Sequence, residues 1–476
     1  MGQIPYAAYM HLHYPSVIPG LQYLAFGNHV SIFAFLLTGV FALWPSPMSF
    51  IALQDISLAI AAILIYLIGK EVLRNRSIGF LMSLAFLFNA GVIGIVIFNI
   101  HLEGFILLFY ILSFYLYMKN NIAGFVLSYM AMLTLMESLP FLGATLLAGL
   151  LYYEFVHRRR SPSFDDRVHR KRMAAIAICI IITISFELFY SYAIGALLSQ
   201  YASGQYSGMP PDIKIINFIG FQLQALGSNG IDQISSTLLI FGMVGTFLVI
   251  FSFGITSLVD PVMFIILESV WLFEVFVLHN FGFASFYYQY YSYAIGGSLA
   301  AAVLGIMIFM EEERRSWLVT GIFRSMNFIR GALIPVAMVI SAFAVIWLLS
   351  SAPSLVISYA THNAGPASDY AQIDSELATI PSNATVMTQT NVYPHMVRIL
   401  NLELSPNVKQ TVFTSRGVAM INLTFYWFKP QYVVLLKNTQ GYSAMVSNSF
   451  NVYDYMGSNY SIYYNSSDGL EIYRLK

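Results

Sequence analysis

Cysteine is almost absent from this chain: 476 residues hold one, Cys179, set in the apolar run IAICIIITISF. A disulfide framework is therefore excluded, and the redox compartment is not legible from thiols. Charge is scarce as well. Asp, Glu, Lys and Arg make up 10% of the residues and the formal net charge is zero, against about 25% charged in an average soluble domain. A nucleic-acid surface needs a basic excess, so no nucleic-acid partner is expected. No GxGxxG, P-loop, Cys-rich or HExxH pattern occurs, so nucleotide-driven and zincin chemistry have no support. Residues 1–29 contain Pro5, Pro15 and Pro19 and no apolar core of a signal peptide, so no cleavable signal is read there.

What is present is apolar side chain, 58% of the total, and most of the chain is expected in lipid. Runs near the roughly 20 residues that cross a bilayer lie at about 50–69, 77–98, 173–198, 236–256, 260–279, 286–310 and 331–350. The nearly continuous stretch 104–156 is cut into three by KNN at 119–121 and ESLP at 137–140. The expected fold is an α-helical polytopic membrane protein of about ten transmembrane helices. The run 30–44, bounded by GNH and PSP, is short, and suits an interfacial or re-entrant helix; whether it spans is left open.

Lys and Arg favour cytoplasmic loops. They cluster at Lys70, Arg74 and Arg76, at Lys119, at 157–172, and at Arg314, Arg315, Arg324 and Arg330. If 30–44 does not cross, parity puts every cluster on one side. Asn99–Phe105, Glu137, the 199–235 loop, His279 with Asn280, and the tail then fall outside. The expected organisation is an extracytoplasmic segment at 1–48, a transmembrane domain at 49–350 and an extracytoplasmic domain at 351–476. The protein would be multi-pass in the plasma membrane.

The tail is polar, with strand-like runs ATVMTQT, QYVVLLK, YSIYY and LEIYRLK and a hairpin turn at Asp468–Gly469. A small α/β or β-rich domain is expected. Glycosylation triplets begin there at Asn383, Asn422, Asn459 and Asn465, but another, at Asn75, falls in an expected cytoplasmic loop, so the motif weighs little.

Several polar residues invite chemistry. His101 and Glu103 stand two apart at the mouth of a span, which suits a divalent metal such as Mg or Mn, or a proton relay. A plain helix start, with Glu103 on the N-terminal dipole, reads equally well. Glu137 emerges on the same side, as a third ligand, a general base or a helix-end carboxylate reaching water. Asp55, Glu187, Glu268 and Glu274 lie in or near spans with no mid-span Lys or Arg, and each suits a protonated or hydrogen-bonded interior group. His279 at an outer mouth is a weaker candidate to join His101. The aromatic run 286–293 reads as an interfacial belt, although Gln289 and Tyr290 could line a sugar site. The basic run 157–172 suits orientation and anionic-lipid contact.

The segments GNHVSIFAFLLTGVFALWPSPMSF and FNIHLEGF resemble a family of predicted membrane proteins, mostly archaeal and bacterial, catalogued as domain of unknown function 2079. Its Asn-His-Phe-Ser-Pro, Pro-Ser-Pro, Phe-Asp-x-His-Pro-Glu and Lys-Glu-Asp patterns correspond here to Asn28–Ser31, Pro45–Pro47, Asn99–Glu103 and Met136–Ser138. IPSNATVMTQTNVYPHM in the tail is similar to further family segments. That family looks like a distant relative of the GT-C type membrane glycosyltransferases, which use polyprenyl-phosphate sugars. The resemblance implies a first helix and acidic loop before residue 1. Two family carboxylates stand here as Asn99 and Ser138, and its Lys as Met136.

On that footing Glu103 and Glu137 are the candidate catalytic residues and His101 and Glu103 the candidate metal ligands. His29, Gln289, Tyr290 and His395 are candidate substrate-binding residues. The leading expectation is a glycosyltransferase-like enzyme taking sugar from a polyprenyl-phosphate carrier to a glycan or protein acceptor at the outer face. A non-catalytic membrane protein of the same fold, binding lipid or glycan, is the alternative. A proton-coupled transporter ranks third, because no inverted repeat is visible. Membrane lipids are partners in every case.

Overall fold

A computed structural model describes residues 25–26, 29–44, 47–97, 101–157, 165–202, 253, 255–277 and 289–315. In the tail it describes 373, 375–381, 384, 386–389, 413–415, 418–421, 431–437, 446–447, 450–451, 453, 456–466 and 469–476. The expected spans at 236–256 and 331–350 lie almost wholly outside these residues, as do His279, Asn280, His395 and Asn99.

A two-residue pair, β1 (Ala25–Phe26) and β2 (His29–Val30), precedes the helices α1 (Ala34–Leu43), α2 (Pro47–Leu67), α3 (Arg76–Leu87), α4 (Ala90–Ile97) and α5 (Glu103–Met118). Then come α6 (Ile122–Leu133), α7 (Leu139–Tyr152), α8 (Asp166–Ala202), α9 (Pro261–Leu272) and α10 (Ser292–Arg315). One apolar core joins all of them. Among the described residues, three continuous helical segments are long and apolar enough to cross a bilayer: Met48–Val72, Leu139–His157 and Asp166–Ala193. At 1.5 Å per residue they measure about 38, 28 and 42 Å, against a hydrocarbon core of about 30 Å. Five further described apolar helices run 10–17 residues. The exposed faces are themselves apolar, as at Ile56, Ile60 and Ile63 on α2 and Ile181, Ile184 and Leu188 on α8. Such faces suit lipid rather than water.

The turns have local causes. At KNN, Asn120 takes φ 58° to close α5, a left-handed position that Asn tolerates. Asn121 then caps α6, its Oδ1 accepting from the Gly124 amide at 3.1 Å. The expected single span 77–98 is instead broken. Asn89 ends α3, and its side chain accepts from the Gly91 amide at 2.8 Å, starting α4.

Successive helices reverse, and this gathers polar groups at two ends. At one end the basic residues collect, tied by buried pairs. Arg172 Nη1 donates to Glu154 Oε1 at 2.8 Å, and Tyr117 donates to the same oxygen at 2.9 Å. His169 Nδ1 lies 2.8 Å from Glu154 Oε2, and Arg172 Nε donates to Asn120 at 2.7 Å. Nearby, Lys119 pairs with Glu71 at 2.9 Å, and His157 pairs with Asp260. Asp260 also caps α9 through the Met263 amide at 3.1 Å. The other end carries the turns before α5 and α7 and the start of α10.

In the tail, strands β3 (Val386–Gln389), β4 (Phe413–Ser415), β5 (Val418–Ile421), β6 (Tyr432–Leu436), β9 (Tyr460–Asn465) and β10 (Leu470–Leu475) form one mixed sheet, in the order β4-β5-β3-β6-β10-β9. β7 (Val446–Ser447) and β8 (Phe450–Asn451) pair separately. All four strand-like runs read from the sequence are strands here. Among the described strands only β3 and β6 run parallel. β6 lies inside the sheet, and Val433, Val434 and Leu435 are buried in succession, so side chains on both of its faces are covered. Gly469, φ 91°, closes the expected β9–β10 hairpin.

Candidate functional site

Glu103 opens α5 and is fully buried. The turn that presents it is held against α2 by Gln54. Gln54 Oε1 accepts from the His101 amide at 3.2 Å, its Nε2 donates to the Ile95 carbonyl at 3.4 Å, and Ser57 donates to the Gly104 carbonyl at 3.3 Å. The approach is close enough to require glycine at 104, since a Cβ there would stand 2.5 Å from Gln54 Oε1. His101 Nδ1 lies 3.8 Å from Glu103 Oε2. That is an electrostatic contact, too long for a hydrogen bond. The imidazole is about one-third exposed (31%) beside a carboxylate sealed from solvent.

Glu137 ends the turn between α6 and α7. Its Oε2 accepts from the Val30 amide at 2.9 Å, and the Phe33 amide donates to the Thr134 carbonyl at 2.9 Å. Phe33 also packs on Phe105 and Phe109, with ring centroids 5.4 and 5.8 Å apart. The segment leading into α1 therefore crosses both turns and covers them. α1 itself buries Leu37 and Phe41 against α2, with Phe41 stacked on Phe50, and leaves Phe35, Leu36, Leu43 and Trp44 exposed. At ten residues it is about 15 Å long, too short to cross.

Tyr293, near the start of α10, links the two turns. Its hydroxyl shares a 2.6 Å hydrogen bond with Ser138 and donates to Met136 Sδ at 3.6 Å. It also lies within electrostatic reach of both Glu103 and Glu137, and of Tyr290. Ser138 thus bonds the Tyr293 hydroxyl directly, Glu103, Glu137 and Tyr290 lie within electrostatic reach of it, and His101 stands beside Glu103. Gln289 lies in the helical turn entering α10 and His29 in β2; the described geometry extends to their backbones.

Sequence reading missed two residues. Gln54 carried a signal, being an amide inside an apolar run. Tyr293 was visible only as part of an aromatic run. Of the other membrane carboxylates, Glu268 and Glu274 are buried, Asp55 is exposed and Glu187 is half-buried.

Among the described residues no group of three or more His, Cys, Asp or Glu side chains is placed to hold a metal. The donor set around Tyr293 is two carboxylates and hydroxyls, with one imidazole at its edge. Such groups accept protons and hydrogen bonds, although Glu103 is sealed from solvent and one Glu137 oxygen is taken by the Val30 amide. The set offers little positive charge to a bare phosphate.

These features define a mostly helical membrane protein with a cluster of acidic and hydroxyl side chains at the end away from its basic loops. The chain belongs to the family described as predicted membrane protein (DUF2079), whose model matches residues 1–472. No curated protein and no solved structure matches it.

Proposed function

We propose that the chain is a glycosyltransferase-like membrane enzyme whose acidic cluster faces the outside and takes sugar from a polyprenyl-phosphate carrier. The supporting observation is that the Tyr293 hydroxyl bonds Ser138, next to Glu137, and lies within electrostatic reach of both Glu103 and Glu137. Transfer to an oxygen acceptor needs a base to remove its proton, and Glu103 is the carboxylate set at the mouth of α5. Glu137 and Ser138 orient Tyr293, and the exposed imidazole of His101 approaches from the rim. A divalent cation such as Mg or Mn, brought in with the phosphate, would supply the positive charge that the side chains lack. About ten crossings, with basic loops in the cytoplasm and a separate extracytoplasmic domain at 351–476, complete the arrangement. The likeness to polyprenyl-phosphate-sugar enzymes and the positive-inside bias support it.

A specific observation favours a second reading. Glu137 spends an oxygen on the Val30 amide and Glu103 has no exposed surface, as in a non-catalytic protein whose acids pin the cover over the two turns. Membranes containing the protein, supplied with radiolabelled polyprenyl-phosphate sugars and Mg or Mn, separate the two. The enzyme reading predicts labelled acceptor with the wild type and none with Glu103→Gln at equal expression. Absence of transfer by the wild type across hexose and pentose carriers would leave the pinning role in its place.

A further inference from the structure

Tyr110 lies seven residues beyond Glu103 on α5, roughly 10 Å deeper at the rise of a helix. Glu268 on α9 and Tyr291 at the entry to α10 share its surroundings: the charge of Glu268 reaches both hydroxyls. Glu268 and Tyr110 are buried, and among the described residues neither the two carboxylate oxygens nor the Tyr110 hydroxyl meets a hydrogen-bond partner. The Ser298 amide is directed at the carboxylate without completing a bond of ordinary geometry. The wall behind it is bare backbone. A Cβ at Gly297 would stand 2.6 Å from Glu268 Oε1 and 2.8 Å from the Leu267 carbonyl, and one at Gly296 would stand 2.7 Å from the Tyr110 ring. Two successive glycines let α5 and α9 press both side chains onto α10.

Buried polar groups are rarely left unsatisfied, and a desolvated carboxylate is the costliest kind. A phenol and a carboxylate meant only for each other would hydrogen-bond directly. Here no direct bond joins them, although Gly296 and Gly297 set the Tyr110 ring and the Glu268 carboxylate against adjacent residues of α10, and the unbonded carboxylate suits a small ligand held by oxygen atoms. A single carboxylate balances a single charge. Calcium and magnesium call for more oxygen ligands and more negative charge than this site offers.

We propose that Glu268, Tyr110 and Tyr291 hold a monovalent alkali cation inside the helix bundle, at a site separate from the acidic cluster and independent of its chemistry. The test uses the full chain in lipid nanodiscs, unfolded thermally in NaCl, KCl or choline chloride at equal ionic strength. Sodium or potassium should raise the midpoint saturably over choline. Glu268→Gln should abolish the difference, and Tyr110→Phe should raise the half-saturating concentration roughly tenfold, the worth of one lost ligand contact. Glu103→Gln should leave the cation effect unchanged. Equal midpoints in all three salts, as a buried water or a bound proton would give, would overturn the proposal. So would an undiminished cation effect in Tyr110→Phe, which keeps the test decisive if Glu268→Gln fails to fold.

Discussion

Arg172→Met removes the cation from the buried network at the basic end. Arg172 is 2% exposed and Glu154 has no exposure. The guanidinium donates to Glu154 at 2.8 Å, to Asn120 at 2.7 Å and to the Met118 carbonyl at 3.1 Å, and it lies 4.7 Å from the centre of the Tyr117 ring. It therefore ties the start of α8 to the ends of α5 and α7. Methionine fills much of the space but leaves the buried Glu154 without its guanidinium partner. Breaking a buried pair by removing one partner costs about 3–5 kcal/mol, because the other charge stays desolvated. Arg172→Lys keeps the charge but loses the fork that reaches three acceptors at once, so its loss should be intermediate. In the double variant Arg172→Met with Glu154→Gln no charge is stranded, and part of the loss should return as a coupling energy. Denaturant unfolding in mixed micelles, followed by helical circular dichroism, measures all three. A loss below about 1 kcal/mol for Arg172→Met would refute the reasoning, since it would put the pair in the range of exposed ion pairs.

Gly104→Ala should destabilise the protein by about 1–3 kcal/mol, the cost of overpacking, because Gln54 must swing off the His101 amide; shortening Gln54 to Ala in the same chain should recover part of it. Unfolding midpoints of the two variants check this, and a Gly104→Ala protein as stable as wild type would remove Gln54 as the clamp. In the tail sheet, Glu471 is held below the usual carboxylate range. Burial pushes it up, but hydrogen bonds from Lys437 (2.6 Å), Tyr453 and Tyr473 (3.0 Å each) outweigh that. A carboxyl whose folded value is depressed stabilises fully above its unfolded value and loses that contribution as pH falls through the folded one. Protection of β6 and β10 amides from exchange, corrected for intrinsic rates, should therefore weaken on acidification in the wild type and much less in Glu471→Gln. Identical pH profiles would dismiss the network.

Much of the helical plan is legible because lipid demands long apolar runs whatever their neighbours are. KNN and ESLP punctuate α5, α6 and α7 as read, through a left-handed Asn, an Asn cap and a Pro in the first turn of α7. The break at Asn89 escaped, because a single amide inside an apolar run is compatible with either a continuous or an interrupted helix. In the tail, β6 and β10 are runs of five and six residues, whereas β4 and β5 are only three and four residues long and too short to stand out as runs. The acidic cluster around Tyr293 was legible only in its local part. His101 and Glu103 are neighbours in sequence, and loop parity brought in Glu137. Tyr293 reaches Ser138 across 155 positions, and no local pattern announces a contact of that kind.

The central claim is that the acidic cluster and the basic network lie on opposite sides of the membrane, with the acidic cluster outside. The one native cysteine, Cys179, is buried and is replaced by Ser. Single cysteines then go to His101, whose side chain is 31% exposed, and to Asp166, which is 61% exposed. Both are challenged in intact cells with a membrane-impermeant maleimide. The account predicts that His101→Cys is labelled at once and Asp166→Cys only after the membrane is permeabilised. Labelling of Asp166→Cys in intact cells, with His101→Cys protected, would contradict it.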